Sequence, residues 1–463
     1  MTSRNLAAAL MLSATLWLAG CGEDATEPNA TPAPGAPMEA LTAAETATLV
    51  AEIRQLASSQ GITALPRPAA VRSQLSLLGR ALAFDKELSG NRDISCMTCH
   101  LTKLGTTDSR SVAIGQGATG LGPDRVHPTG RFVHRNAPPL FNLHAMNTLT
   151  WDGRVFKDAK GVVRMPGANL LAAQRAVLEC GVLSAQTMLP VLSRPEMRGE
   201  SGNELAAIAD NTHQKTWRFL MRRLGLIPEY RTLFEAAYPG QSFDNMTFAH
   251  AGNAMGCWIQ QVFQATNTPW DRFLGGRDDA LTEAQLRGAK VFLTTGKCSQ
   301  CHSGPALTDS KFHNVLVRQV GPGFGNGPDG HDDFGRFRQT GNVKHMYQFR
   351  TPPLRNVELT APYGHDGAIT SLRAWVDHYT QAGTKLQSYD PSQLEPLLRN
   401  TVQPTADAIF ATRDFKLKDL TLTSAQVDDV TEFLKALTDP ASRDLRETVP
   451  ATVPSGLPVD AIP

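Results

Sequence analysis

In the stretch 372–379, Leu372, Trp375, Val376 and Tyr379 fall at i, i+3, i+4 and i+7, the spacing that gathers side chains on one helix face. A "HDG" turn at 365–367 precedes it. Amphipathic spacing of the same kind runs through "MTFAHAGNAMGCWIQQVF" and "LTSAQVDDVTEFLKAL". Two further stretches, "LSLLGRALAFDKELSGNRDISCMTCH" and "LTEAQLRGAKVFLTTGKCSQCHSGP", each read as a helix, a Gly or Ser turn and a cysteine pair. Thr282, with Glu283 beside it, is placed to cap the second. No run alternates as a half-buried strand would. The pattern predicts a mostly α chain with long ordered loops.

The N-terminus follows a different pattern. "MTSRNLAAALMLSATLWLAGC" has one Arg, an apolar run, then Leu18-Ala19-Gly20-Cys21. The run is too short to span a bilayer comfortably and reads as a signal peptide, residues 1–20. Its ending resembles a bacterial lipobox, which implies lipidation of Cys21. Gly22, rather than Asp, then favours the outer membrane by resemblance to the lipoprotein sorting rule. Residues 21–44, rich in Pro, Ala and Thr, read as a flexible tether. The expected location is periplasmic, anchored by lipid. The 463 residues, 41% of them hydrophobic, suffice for two or three cores. A net charge of +1 gives no footprint for nucleic acid or a polybasic membrane patch.

Seven cysteines sharpen the picture. Four form two copies of one pattern, Cys96-Met97-Thr98-Cys99-His100 and Cys298-Ser299-Gln300-Cys301-His302. C-x-x-C-H is the attachment signature of c-type haem. The two thiols reach the two vinyl groups of one porphyrin edge, and the next His turns its imidazole to the iron. A zinc site or a redox dithiol would leave both trailing histidines unexplained. Two covalently bound haems c are therefore expected, in two related, mostly α, cytochrome c-like domains. The first would cover residues 45–280 and the second 281–415. A C-terminal helix, 416–450, would pack back on the first domain, and 451–463 would be a flexible tail. Cys180 and Cys257 could pair or remain buried thiols.

In addition to these motifs, the chain carries "RNAPPLFN" (135–142), "WDGR" (151–154), "PEM" (195–197), "FRTPPLRNVELTAPYGHDG" (349–367) and "FLKALTDP", in that order. Together they resemble the bacterial dihaem cytochrome c peroxidase family, including its MauG branch. The resemblance implies that the first haem, with His100 as proximal ligand, reacts with peroxide. Gln186, Pro190 and Glu196 match the family's distal positions: Glu196 would shuttle the proton, Gln186 would orient peroxide and Pro190 would limit space. A distal His, found in the peroxidase branch, has only His127 and His134 as candidates here. Neither sits at the family spacing, so a five-coordinate first iron is expected. The second haem would be held by His302 and by the residue 14 positions after His365, which is Tyr379. MauG has Tyr at this position, where the peroxidases have Met. An anionic oxygen donor stabilises the higher iron oxidation states and lowers the potential, whereas Met raises it. His378 is the neighbouring alternative, about 100° away around the helix, and Met346 is too far upstream. Trp151 would carry charge between the haems. A Ca²⁺ ion would bind Asn136 and the carbonyls of Thr360 and Pro362.

Two segments exceed the type members: residues 156–184, which hold Cys180, and the Gly-rich loop 322–336, "PGFGNGPDGHDDFGR". Either could shape a partner-docking surface or cover the distal pocket. The expected function is an exported peroxide-using oxidoreductase that, like MauG, oxidises an aromatic side chain of a partner protein over a long range. The alternatives are a conventional peroxidase fed by a small cytochrome or cupredoxin, and a dihaem electron carrier. Glu196 and Gln186 argue against the carrier, and Tyr379 against the conventional peroxidase.

Overall fold

Helices dominate the architecture, as the apolar spacing predicts. The protein is described by a computed structural model covering residues 40–168 and 170–462. The signal-like run, Cys21 and nearly all of the tether lie outside the described residues.

Seven helices carry the argument: α1 (Ala43–Ser59), α2 (Ser73–Phe84), α3 (Gly181–Gln186), α4 (Phe248–Val262), α5 (Glu283–Leu293), α6 (Leu372–His378) and α7 (Ser424–Lys435). Thr282 caps α5 through a reciprocal box with Gln285, which satisfies two amide groups that would otherwise lack partners. Short strands missed by pattern reading also occur. β1 (Thr148–Leu149), β2 (Val155–Lys157) and β3 (Val163–Arg164) form an antiparallel sheet with Thr148 opposite Phe156 and Phe156 opposite Arg164. β4 (Phe312–His313) pairs with β5 (Phe349–Arg350). At two or three residues each, these strands are too short to show alternation in a sequence.

Two large apolar cores form around the helices that precede the cysteine pairs. In the first, α2 contributes Leu75, Leu78 and Leu82 and packs on α4 through Trp258. In the second, α5 contributes Leu286 and Phe292 and packs on α7 through Val430 and Phe433. The two crossings share one device. A Cβ on Gly79 would lie 2.0 Å from the Ala254 carbonyl oxygen, and one on Gly288 would lie 1.9 Å from that of Asp429. Only glycine lets the backbones approach this closely.

The chain ends differ from the expected division. α1 joins the second core through Val50, Ile53 and Ala57, and Arg54 donates to the Phe273 carbonyl. α7, expected on the first domain, lies on the second core because its apolar face fits α5 and Asp429 pairs with Arg287. The tail, expected to be flexible, returns to the first core. There Val453 is buried, and Asp460 pairs with Lys86 and accepts from Thr98, each at 2.6 Å.

Cys180 and Cys257 form a disulfide that spans 77 residues. It ties the start of α3 to α4, so the extra segment 156–184, with β2 and β3, is anchored at its far end.

Gly288→Ala is expected to lower stability by about 1–3 kcal/mol, the usual cost of overpacking a tight contact. An unchanged denaturant midpoint would show that α5 and α7 do not touch through backbone. Replacing both Cys180 and Cys257 by Ser should cost about 2–4 kcal/mol in the same measurement, and loss of the cross-link should be visible by thiol counting.

Candidate functional site

Each cysteine pair opens one turn of helix, at Cys96–Cys99 and Cys298–Gln300. The imidazole after each pair is fixed in the same way. Nδ1 of His100 lies 3.0 Å from the Thr106 carbonyl, and Nδ1 of His302 lies 3.0 Å from the Leu307 carbonyl. A carbonyl only accepts, so Nδ1 carries the proton and Nε2 keeps its lone pair. Thr106 and Leu307 both adopt left-handed backbone, with φ of 61° and 53°. Burial lowers the proton affinity of both rings, which keeps them neutral and ligand-competent. Burial also pushes the Cys96 and Cys298 thiols up to about 12. A redox dithiol or a thiolate metal site needs the opposite shift.

Each motif forms a wall of one large, mostly apolar pocket. The first pocket contains Cys96, Cys99 and His100 together with Gln186, Pro190, Glu196 and Met197. Gln186 ends α3, and its Oε1 is buried without a hydrogen-bond partner. A buried acceptor left open in this way suits a small O–H donor. Glu196 lies on a single π-helical turn, Arg194–Arg198, a distortion often found at functional sites. Burial raises the Glu196 carboxyl above its ordinary range, against the opposing pull of Arg154, Ser193 and Arg135. "WDGR" accounts for part of that field. Asp152, fully buried, holds Arg135 and Arg154, each at 3.0 Å. His134 also lines this pocket, with its Nδ1 bonded to the Gly323 carbonyl. His127 lies elsewhere, in a polar surface cleft with Arg131 and Arg194.

The second pocket contains Cys298, Cys301 and His302 with Tyr363, Trp375, Val376 and Tyr379. Tyr379 caps the C-terminus of α6. Burial, reinforced by the nearby Cys301 and Cys298 thiols, raises its phenol above the ordinary value. His378 is not among the lining residues. Its Nε2 donates to the Val315 carbonyl at 2.8 Å and its ring stacks on Trp375 at 5.7 Å. Met346 is not among the lining residues either; it packs against an apolar cluster with Leu316 and Leu386, which Tyr379 also touches. The "HDG" histidine is structural: its ring stacks on Phe349 at 3.6 Å, and its carbonyl accepts from the Asn136 amide at 2.9 Å. Asn136, Thr360 and Pro362 share the wall of the second pocket.

Trp151 borders both pockets, as do Asn136 and Arg350. The indole donates to the Asn136 carbonyl at 3.1 Å, and the Trp151 carbonyl accepts from the Arg350 amide at 2.9 Å. Motif reading gave no role to Arg350. Its buried guanidinium meets the carbonyls of Thr150 and Thr351 at 3.2 and 3.1 Å. Burial drops it to about 10. A buried cation satisfied only by carbonyls calls for an anion, and the carboxylates of a haem meet that requirement. His313 also escaped notice. It lies at the second pocket between Asp414 at 2.7 Å and Asp309 at 3.0 Å, and these carboxylates outweigh burial and push it up to about 11. Its only signal in the sequence was a histidine four residues after an aspartate. The thiol walls, the free Nε2 atoms, Arg350 and the open Gln186 acceptor all fit two c-type haems.

Comparison with known proteins agrees with this chemistry. The model of the di-haem cytochrome c peroxidase family matches residues 73–279. Cytochrome c551 peroxidase of Pseudomonas aeruginosa is 31% identical over 312 residues, covering 65% of this chain and 70% of that protein. Methylamine utilization protein MauG of Methylorubrum extorquens is 28% identical over 311 residues, covering 67% and 70%. Among solved structures, a MauG-like protein associated with microbial copper homeostasis aligns with a TM-score of 0.58 and 25% identity, over 82% of this chain and 94% of that one. By these matches the chain belongs to the dihaem cytochrome c peroxidase and MauG family, a family of peroxidase-type oxidoreductases with two haems c.

Proposed function

We propose that this chain uses hydrogen peroxide in its first pocket to oxidise an aromatic side chain of a partner protein, as the MauG branch does. The haems, when bound, supply the redox chemistry, and the chain supplies the positioning and the proton movement. Gln186 Oε1 accepts a hydrogen bond from peroxide. The Glu196 carboxyl takes the proton from the inner oxygen and returns it to the outer one, which makes water the leaving group. Its raised proton affinity suits a group that must alternate between acid and base. Pro190 limits the space around it. Trp151, which borders both pockets, is the side chain through which charge passes. His100, through its free Nε2, would hold the first haem, and His302 and Tyr379 would hold the second.

The observation that carries this reading is Tyr379 on the wall of the second pocket, which neither His378 nor Met346 lines. One observation favours the conventional peroxidase reading: the 31% identical relative is a cytochrome c551 peroxidase. In that case electrons would come from a small cytochrome or cupredoxin. The same proposal includes a Ca²⁺ ion at Asn136, Thr360 and Pro362. It also places the protein in the periplasm, lipid-anchored through Cys21 to the outer membrane. The Cys180–Cys257 disulfide supports an oxidising compartment.

Tyr379→Met is expected to raise the potential of the second haem by a sizeable part of the roughly 0.8 V that axial ligands span, while Tyr379→Phe should alter its optical spectrum. If redox titration finds both variants like the parent, Tyr379 is not the ligand and the MauG-like reading loses its support. Glu196→Gln should slow the reaction with peroxide about 10²–10⁴-fold without moving either haem potential. In the parent, the pH profile should show a carboxyl titrating above the ordinary range, and this step should vanish in the variant. A stopped-flow profile unchanged by the substitution would rule Glu196 out as the proton carrier.

A further inference from the structure

The loop 322–336 belongs to the second half of the chain, yet it ends over the first pocket. Phe324 lines that pocket together with His134, Arg135, Arg154 and Glu196. Its ring is half-buried and belongs to none of the apolar clusters among the described residues. Cations surround it instead. The guanidinium carbons of Arg338, Arg135 and Arg154 lie 4.2, 4.6 and 5.6 Å from the ring centre, and the His134 ring lies 4.1 Å away. An aromatic ring held by charge on its faces is fixed in place without being core. Arg135, Arg154 and His134 line the pocket as well, so the ring stands on the part of the wall that these three build.

The backbone on either side of the ring is tethered. The Phe324 amide donates to the Asp332 carbonyl at 2.9 Å, and Arg338 donates to the Phe324 carbonyl at 2.6 Å. The next residue, Asp333, pairs with buried Arg135 at 2.6 Å. His134 donates from Nδ1 to the carbonyl of Gly323, so the loop also fixes the orientation of that imidazole.

We infer that Phe324 closes the first pocket on the side built by His134, Arg135 and Arg154 and filters ligands by size. Hydrogen peroxide passes, and hydroperoxides carrying a bulky organic group are excluded. The inference rests on the reading of the first pocket as the peroxide site, and it adds the residue that sets the substrate class. Removing the ring opens the pocket without touching Gln186, Pro190 or Glu196.

The test uses the ferric holoprotein. Optical titrations give its affinities for cyanide, a small ligand, and 4-phenylimidazole, a bulky one. Stopped-flow spectra give the rates with hydrogen peroxide and with cumene hydroperoxide. Phe324→Ala should raise the bulky-to-small ratio about tenfold or more in both pairs, the scale on which pocket shape discriminates. Phe324→Leu, which keeps apolar bulk, should fall between parent and Ala. The double variant Phe324→Ala/His134→Ala removes His134 as an internal competitor and should show the same gain. Ratios equal to the parent's in the Leu variant and the double variant would overturn the filter. Ligand binding to the ferric protein needs neither a partner nor Tyr379. Ratios that move while hydrogen peroxide leaves the spectrum unchanged would therefore overturn peroxide use and leave the size filter standing.

Discussion

Arg135 is held between two buried carboxylates, Asp152 at 3.0 Å and Asp333 at 2.6 Å, and the arrangement of the first pocket depends on this triad. All three side chains are nearly inaccessible, so each charge needs the others. Removing one partner of such a group typically costs about 3–5 kcal/mol. The triad joins three separate stretches of chain: "RN", "WDGR" and the Gly-rich loop. It sets the turn that places Trp151 beside both pockets and holds Arg154 on the wall of the first, which Glu196 also lines. It also holds the loop that carries Phe324. Both carboxyls are held below their usual range by this contact, with burial opposing it, so the triad remains ionised at neutral pH.

Around that seam the chain uses one local design twice. A helix crosses a later helix at a glycine, at Gly79 on α4 and at Gly288 on α7. A cysteine pair follows, and then an imidazole tied at Nδ1 to a carbonyl from a left-handed residue. The two pockets differ in what else lines them. In the first, a glutamine acceptor and a carboxyl with raised proton affinity leave room for a small reactant. In the second, a phenol at the end of α6 lines the wall. The asymmetry between the two pockets comes from α3, the Arg194–Arg198 turn and α6, not from the motifs.

The readable parts of the sequence have short-range causes. The C-x-x-C-H spacing is a covalent constraint. The helices before each motif, α4 and α7 follow from apolar periodicity, and the Thr282 cap from local hydrogen bonding. The placement of Gln186, Pro190 and Glu196 in one pocket with the first motif was expected only through resemblance, because nothing in their local sequence brings them together. The expected domain ends went astray for the same reason. A helix with an apolar face can pack on either core, and α7 lies on the second because its apolar face fits α5, with Asp429 against Gly288 and paired with Arg287. The tail's position depends on one Asp460–Lys86 pair and a buried valine, which no periodicity announces.

By itself the sequence determined the two C-x-x-C-H motifs, the mostly helical class and the histidine that follows each cysteine pair, because these depend on residues within a few positions of one another. Tertiary structure decided that Cys180 pairs with Cys257, that Trp151 and Arg350 border both pockets, that Tyr379 rather than His378 lines the second, and that Phe324 reaches the first. Each of these contacts joins groups brought together by packing and buried charge, whose strengths depend on solvent exclusion and three-dimensional proximity, and neither is written in the local order of residues.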